Sequence, residues 1–176
     1  MVYPKMKRVK LRFVLFIALF LFLFPFSCSR LFWNLTKAMR KPGEKMLTLP
    51  DKVAQQYECS QRKLPFFMVE KNEVVPVELK PGDEFNHHFS YVMCPAIPSQ
   101  TIKATLYRKI YYQGRIVFQD VTENFEIKPG RWAVDAFITI PTNAPPGIYS
   151  LETEIISSLI QYKAVRSFAV LKRRKK

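Results

Sequence analysis

The chain has 176 residues, of which 28 are basic and 14 acidic, so its formal net charge at pH 7 is +14. This length suits one domain plus a targeting segment, and the abundance of Phe and Tyr over Gly excludes a disordered or collagen-like chain. The excess positive charge lies in the flanks, because the 13 basic residues between Asp51 and Leu171 are matched by 13 acidic ones. A domain that binds nucleic acid carries its Lys and Arg on the folded surface, so we expect no nucleic-acid partner.

Residues 1–28 have the plan of a signal peptide or membrane anchor. Five basic residues precede an apolar run from Phe13 to Phe26, and the small residues Ser27 and Ser29 follow it. The basic segment of such a sequence stays in the cytosol while the chain behind it crosses the membrane. We therefore expect a body that is extracytoplasmic, in the periplasm or at the cell surface.

Three fates of this segment are open. The junction of Ser27 and Cys28 resembles the lipidation site of bacterial lipoproteins, which implies lipid attachment at Cys28, although Phe24 and Pro25 depart from that family's pattern. An uncleaved anchor needs about 20 apolar residues, and this run is short of that length. Cleavage after Ser29 would release a soluble protein. Lipidation and retention both leave the protein tethered to the membrane through its N-terminus.

Residues 29–63 are predicted to form a juxtamembrane linker with short helices. Between residues 30 and 41, apolar side chains recur at helical spacing among basic ones, which predicts an amphipathic helix that can lie in the lipid interface; a solvated spacer helix is the alternative. The expected interface contacts are Leu31, Phe32, Trp33 and Leu35. A second short helix is predicted over residues 51–58, with the side chain of Asp51 as its N-terminal cap.

The body contains two cysteines, Cys59 and Cys94, in addition to Cys28. An even pair in an exported domain predicts a disulfide, which closes a loop of about 35 residues and stabilises the fold by roughly 3–4 kcal/mol. Two buried free thiols are the alternative if the body is cytosolic.

Residues 64–171 show the alternation and turn chemistry of antiparallel β-structure. About 7–9 short strands are separated by Pro-Gly turns such as Lys80-Pro81-Gly82 and Pro145-Pro146-Gly147. The strand candidates RWAVDAFITIP and GIYSLETEI alternate so that each has one solvent-exposed face. The segments KPGDEFNHHFSYVMC and APPGIYSLETEI resemble an early and a late strand of bacterial immunoglobulin-like or fibronectin type III-like modules. The resemblance implies an all-β, antiparallel Ig-like β-sandwich that serves as a spacer, adhesion or docking domain. A basic tail, residues 172–176, follows it.

The two histidines are adjacent in a predicted strand, where successive side chains point to opposite faces. We expect His87 to lie half-buried beside the aromatic Phe85 and Phe89. A metal site that combines His87 or His88 with Cys94 is an alternative, although the spacing matches no zinc finger. The chain contains no phosphate-binding loop and no zinc-protease or hydrolase motif, so we expect no cofactor and no enzymatic activity.

Aromatic residues offer one further candidate site. Trp132 with Tyr107, Tyr111 and Tyr112 could form a sugar-binding platform, but Trp132 begins an alternating apolar face and is predicted to belong to the core. The sequence as a whole predicts a membrane-tethered, non-catalytic extracytoplasmic module that docks to another cell-envelope protein. A small-ligand or metal-binding envelope protein is the alternative, and neither the partner nor the oligomeric state follows from the sequence.

Overall fold

The computed structural model describes residues 40–172. The expectations for the N-terminal segment, including Cys28 and the interface residues, therefore fall outside the described residues, as does the basic tail beyond Lys172. Within the described part, no helix has the length and apolar character needed to span a membrane.

Residues 40–172 fold into nine strands, one α-helix and one 3-10 turn. The elements in chain order are β1 (Gly43–Thr48), α1 (Pro50–Gln56), the 3-10 turn (Cys59–Gln61), β2 (Phe66–Val75), β3 (Glu78–Leu79), β4 (Glu84–Cys94), β5 (Ile102–Tyr112), β6 (Arg115–Ile127), β7 (Gly130–Thr139), β8 (Gly147–Ile156) and β9 (Gln161–Val170).

The strands form two sheets. Sheet A has the order β1-β7-β4-β2 and is antiparallel throughout. Sheet B has the order β3-β9-β8-β5-β6 and is antiparallel except for the short parallel pairing of β3 with β9. The predicted mostly β, largely antiparallel architecture is confirmed.

The inner faces of the two sheets pack against each other through two apolar clusters. Each cluster combines side chains from both sheets, because alternate residues along a strand point to the same face. The first contains Phe89, Tyr91, Leu106, Phe125 and Ile155, and the second contains Phe85, Ile110, Ile138, Leu151 and Phe168. Burying a side chain of this size stabilises the fold by roughly 1.5–3 kcal/mol, so these clusters hold the two layers together.

The outer face of sheet A is covered where α1 and the 3-10 turn pack against it. Val53 and Cys59 form a third apolar cluster there with Val92 and Cys94 of β4. Nearly every residue of β4 is buried, whichever face it points to. At this end of β4 neither face is exposed to solvent, because α1 and the 3-10 turn cover the outer one.

The segment predicted as a linker contains part of the sheet. Strand β1 pairs with β7, so within residues 40–172 the first strand begins at Gly43, ahead of residue 64. Helix α1 begins with Pro50 in its first turn, and Leu49 precedes it without any side-chain cap, so the predicted capping by Asp51 is wrong. Proline suits this position because it has no N–H group to leave unpaired. Asp51 lies in the first turn, where its negative charge interacts favourably with the positive end of the helix dipole.

Candidate functional site

His87 lies between the two sheets and is completely buried. Its Nδ1 accepts a hydrogen bond from Arg108 Nε at 3.1 Å. Because Nδ1 is an acceptor, the proton of the neutral ring lies on Nε2, which is 3.0 Å from Thr153 Oγ1 and 3.2 Å from Asn72 Oδ1. Both ring nitrogens therefore have partners inside the protein.

His87 and its partners form a hydrogen-bonded network that connects strands of both sheets. Asn72 Nδ2 donates to the hydroxyl of Tyr162 at 3.2 Å, and the Arg108 guanidinium reaches the carboxylate of Asp120 at 2.8 Å. Burial, together with the charge of Arg108, lowers the pKa of His87 to about 3, so the ring is neutral at physiological pH. The prediction that His87 shares a face with Phe85 and Phe89 is confirmed, but it is fully buried and not half-buried.

His88 points to the opposite face of β4, as the alternation predicts. Its Nδ1 lies 2.9 Å from Asp135 Oδ1. Burial alone would raise the pKa of Asp135, but the hydrogen bond and charge of His88 offset it and the pKa is lowered. His87, His88 and Cys94, the alternative metal set, are thus not brought together, and residues 40–172 contain no group of three His, Cys, Asp or Glu side chains placed to hold a metal.

The predicted disulfide is present between Cys59 and Cys94. Their Cα atoms are 5.9 Å apart and the two residues are 35 positions apart in sequence. The bond joins the 3-10 turn after α1 to the last residue of β4. It therefore pins the helical segment to the outer side of sheet A.

An apolar cavity of about 600 Å³ opens beside this disulfide. Its wall includes four prolines from three segments: Pro50 of α1, Pro95 and Pro98 of the loop after β4, and Pro129 between β6 and β7. We call this cavity the proline cleft; Met46, Leu49, Ala54, Ala96, both disulfide cysteines and Trp132 also line it. Most of its surface is apolar, which is typical of a site that receives an apolar side chain.

Trp132 is fixed where the cleft meets the core. Its Nε1 donates to the carbonyl of Pro129 at 2.9 Å, and Lys128 Nζ lies 4.9 Å from the centre of its ring. Trp132 also packs against the first core cluster, which agrees with its predicted place in the core. The cleft itself was not predicted, because its prolines are scattered between residues 50 and 129 and only the fold collects them.

The proposed aromatic platform is not assembled as a unit. Trp132 belongs to sheet A, whereas the three tyrosines belong to β5 of sheet B. Tyr112 stacks on Tyr149 with 4.5 Å between ring centres and packs against the second core cluster. Tyr107 and Tyr111 point to the outer face of sheet B.

No protein-family model matches this chain, and no curated protein matches it. Among solved structures it is similar to the alkylpurine DNA glycosylase AlkC of Pseudomonas fluorescens bound to DNA containing an abasic site analog, with a TM-score of 0.45 and 14% identity over 60% of this chain and 30% of that chain. A beta-glucosidase from Listeria innocua in complex with glucose gives a TM-score of 0.46 and 12% identity over 63% and 17%. Spo0M, the sporulation control protein of Bacillus subtilis, gives 0.42 and 14% over 61% and 50%. The chain spans half or less of the length of these proteins, and at TM-scores below 0.5 the similarities identify neither a family nor a function.

Proposed function

We propose that this protein is a membrane-tethered, non-catalytic module of the cell envelope, with an Ig-like body that docks to another envelope protein through the proline cleft. The observation that carries the proposal is the apolar cleft beside an exposed sheet edge at one end of sheet A. The membrane tether is inferred from the apolar run from Phe13 to Phe26 and from the basic residues before it.

The strand order supports the Ig-like assignment of the body. Constant-type Ig domains place their first, second, fifth and fourth strands in one sheet and their third, sixth and seventh in the other. Here β2, β4 and β7 take the places of the first, second and fifth strands, and β5, β8 and β9 those of the third, sixth and seventh. Strand β1 occupies the edge position next to β7.

A second Ig-like feature involves Tyr149. This tyrosine is the third residue of β8, and its hydroxyl donates to the carbonyl of Pro145, four residues upstream, at 2.8 Å. Many Ig-like domains contain the same arrangement, the tyrosine corner, near the start of their sixth strand. The bond supports both the assignment of β8 and the Ig-like character of the body.

The surroundings of the cleft indicate the kind of partner it suits. Strand β1 is an edge strand of sheet A, and Leu49, which follows it, lines the cleft with 57% of its surface exposed. An extended segment of a partner can pair with the free edge of such a strand while an apolar side chain enters a neighbouring pocket. We therefore propose a partner that presents an extended segment with an apolar anchor residue.

Site-specific photocrosslinking in the native cell tests this docking. A photoreactive amino acid at position 49 is expected to crosslink one discrete envelope protein, and the same group at Ile116 of β6, which is 51% exposed, serves as the control. In parallel, Leu49→Glu is expected to abolish that association without unfolding the chain. Equal crosslinking from both positions, or none from position 49, would contradict docking at the cleft.

The tether is tested separately by the intact mass of the protein isolated from its native membrane. A chain that starts at Cys28 and carries acyl groups is the expected product of lipidation. A full-length chain indicates a retained anchor, and a soluble chain that starts at Arg30 refutes the tether.

A further inference from the structure

The outer face of sheet B carries a shallow depression that is separate from the proline cleft. The pairing register aligns Tyr111 of β5, Ser150 of β8 and Ser167 of β9 in one row across three strands. Residues paired directly across antiparallel strands share a face, so all three side chains point outward. The two serines have short side chains, and the space above them is a cavity of about 480 Å³.

The walls of this depression come from the neighbouring rows. Ile148 and Glu152 flank Ser150 along β8, Val165 flanks Ser167 along β9, and the Gln113–Gly114 turn closes one end. The ring of Tyr111 supplies an aromatic wall. No hydrogen bond engages the hydroxyl of Ser150 or Ser167 within the described part of the chain, so both are available to a ligand.

Glu152 is a fixed acceptor at the edge of the depression. Only 7% of its surface is exposed, and its carboxylate lies 3.0 Å from Lys163 Nζ, 3.6 Å from Lys109 Nζ and 3.4 Å from the hydroxyl of Tyr111. Burial alone would raise the pKa of Glu152, but the hydrogen bond and charge of Lys163 outweigh burial and the pKa is lowered. The group is therefore ionised and held in one orientation.

Two properties of the face restrict what can bind there. The central strand β8 is paired on both sides, with β5 and β9, so its backbone cannot accept an added peptide strand. The charges are balanced, because Glu152 and the neighbouring Glu154 face Lys109 and Lys163. These features favour an uncharged ligand that is bound by side chains alone.

We infer that this depression binds a pyranose unit of a neutral polysaccharide. A sugar ring has an apolar face that packs on an aromatic ring, here Tyr111, and a rim of hydroxyl groups. Glu152 accepts hydrogen bonds from sugar hydroxyls, while Ser150, Ser167 and Gln113 donate and accept. The inference goes beyond the proposed function, since it uses another face of the other sheet and does not require the docking partner.

Titration of the full-length protein with neutral tetrasaccharides tests the inference. The protein is reconstituted in lipid nanodiscs without sugar-based detergents, and cellotetraose, fully N-acetylated chitotetraose and mannotetraose are titrated by calorimetry. Saturable binding of at least one of them is expected. Tyr111→Ala is expected to weaken that binding about tenfold, through loss of the aromatic contact.

Two matched variants separate the sugar contact from other effects. Tyr107→Ala removes a second tyrosine from the same strand and face but outside the depression, and it is expected to change affinity less than twofold. Tyr111→Phe keeps the ring but loses the hydroxyl that donates to Glu152, and it is expected to retain most of the affinity that Tyr111→Ala loses. An equal loss in both alanine variants, or the absence of saturable binding by all three tetrasaccharides to the folded chain, overturns the inference. Crosslinking from position 49 distinguishes this failure from a failure of docking.

Discussion

The disulfide between Cys59 and Cys94 is expected to supply a large share of the stability of the body. In the unfolded chain it closes a loop between residues 35 positions apart, and the loop-entropy relation then gives about 4 kcal/mol at 25 °C. For a chain of this length that corresponds to a fall in Tm of roughly 8–15 °C. The double variant C59A/C94A removes the bond, and alanine introduces no polar group into the apolar cluster around the two cysteines.

Urea unfolding of the full-length protein, followed by tryptophan fluorescence, measures this effect. Without the crosslink the unfolded chain expands, so the dependence of the unfolding free energy on urea is expected to become steeper as the midpoint falls. Chemical reduction of the unaltered protein provides the control, because it breaks the same bond without changing the sequence. A loss of less than about 1 kcal/mol in both cases, with unchanged urea dependence, would refute the argument from loop closure.

Three further predictions concern single side chains. Burial lowers the pKa of His87 to about 3, so below pH 6.5 the unfolded chain binds a proton that the folded chain does not, and the free energy of unfolding falls as the pH drops towards 3. His87→Gln should reduce the dependence of the unfolding free energy on pH by about 1.4 kcal/mol per pH unit, measured by urea unfolding at pH 4–6. An unchanged pH dependence would count against a buried neutral ring. A Cβ at Gly130 would lie 2.8 Å from the carbonyl oxygen of Thr48, whereas one at Gly114 meets open space, and both glycines have positive φ. Gly130→Ala should therefore destabilise by at least about 2 kcal/mol more than Gly114→Ala in thermal unfolding, and equal losses would refute the close approach of β1. Tyr149→Phe removes the hydrogen bond to the carbonyl of Pro145 and should lower the free energy of unfolding by about 1 kcal/mol. A decrease of less than about 0.3 kcal/mol would contradict this prediction.

The β-architecture was predictable because its signals are local. The Pro-Gly turns and the alternation in β7 and β8 each fall within a dozen residues, which is the range over which backbone preferences and side-chain periodicity act. The disulfide was predictable from cysteine number and from the expected compartment. The opposite orientations of His87 and His88 follow from strand geometry alone.

Other features depend on contacts between distant segments. Strand β1 has an almost wholly exposed sequence without apolar alternation, and only its pairing with β7 makes it a strand. The buried ring of His87 accepts a hydrogen bond from Arg108 of the opposite sheet, 21 residues away in sequence. The prolines of the cleft and the row of Tyr111, Ser150 and Ser167 are likewise far apart in sequence.

The sequence by itself therefore determined most of the segments that become strands, where most of them turn and which faces their residues share, since those properties depend on near neighbours. The tertiary structure alone decided which outer faces are covered and which distant side chains meet in a cleft or a depression. The physical reason is that sheet order and register set these distances, and both depend on the packing of the whole core.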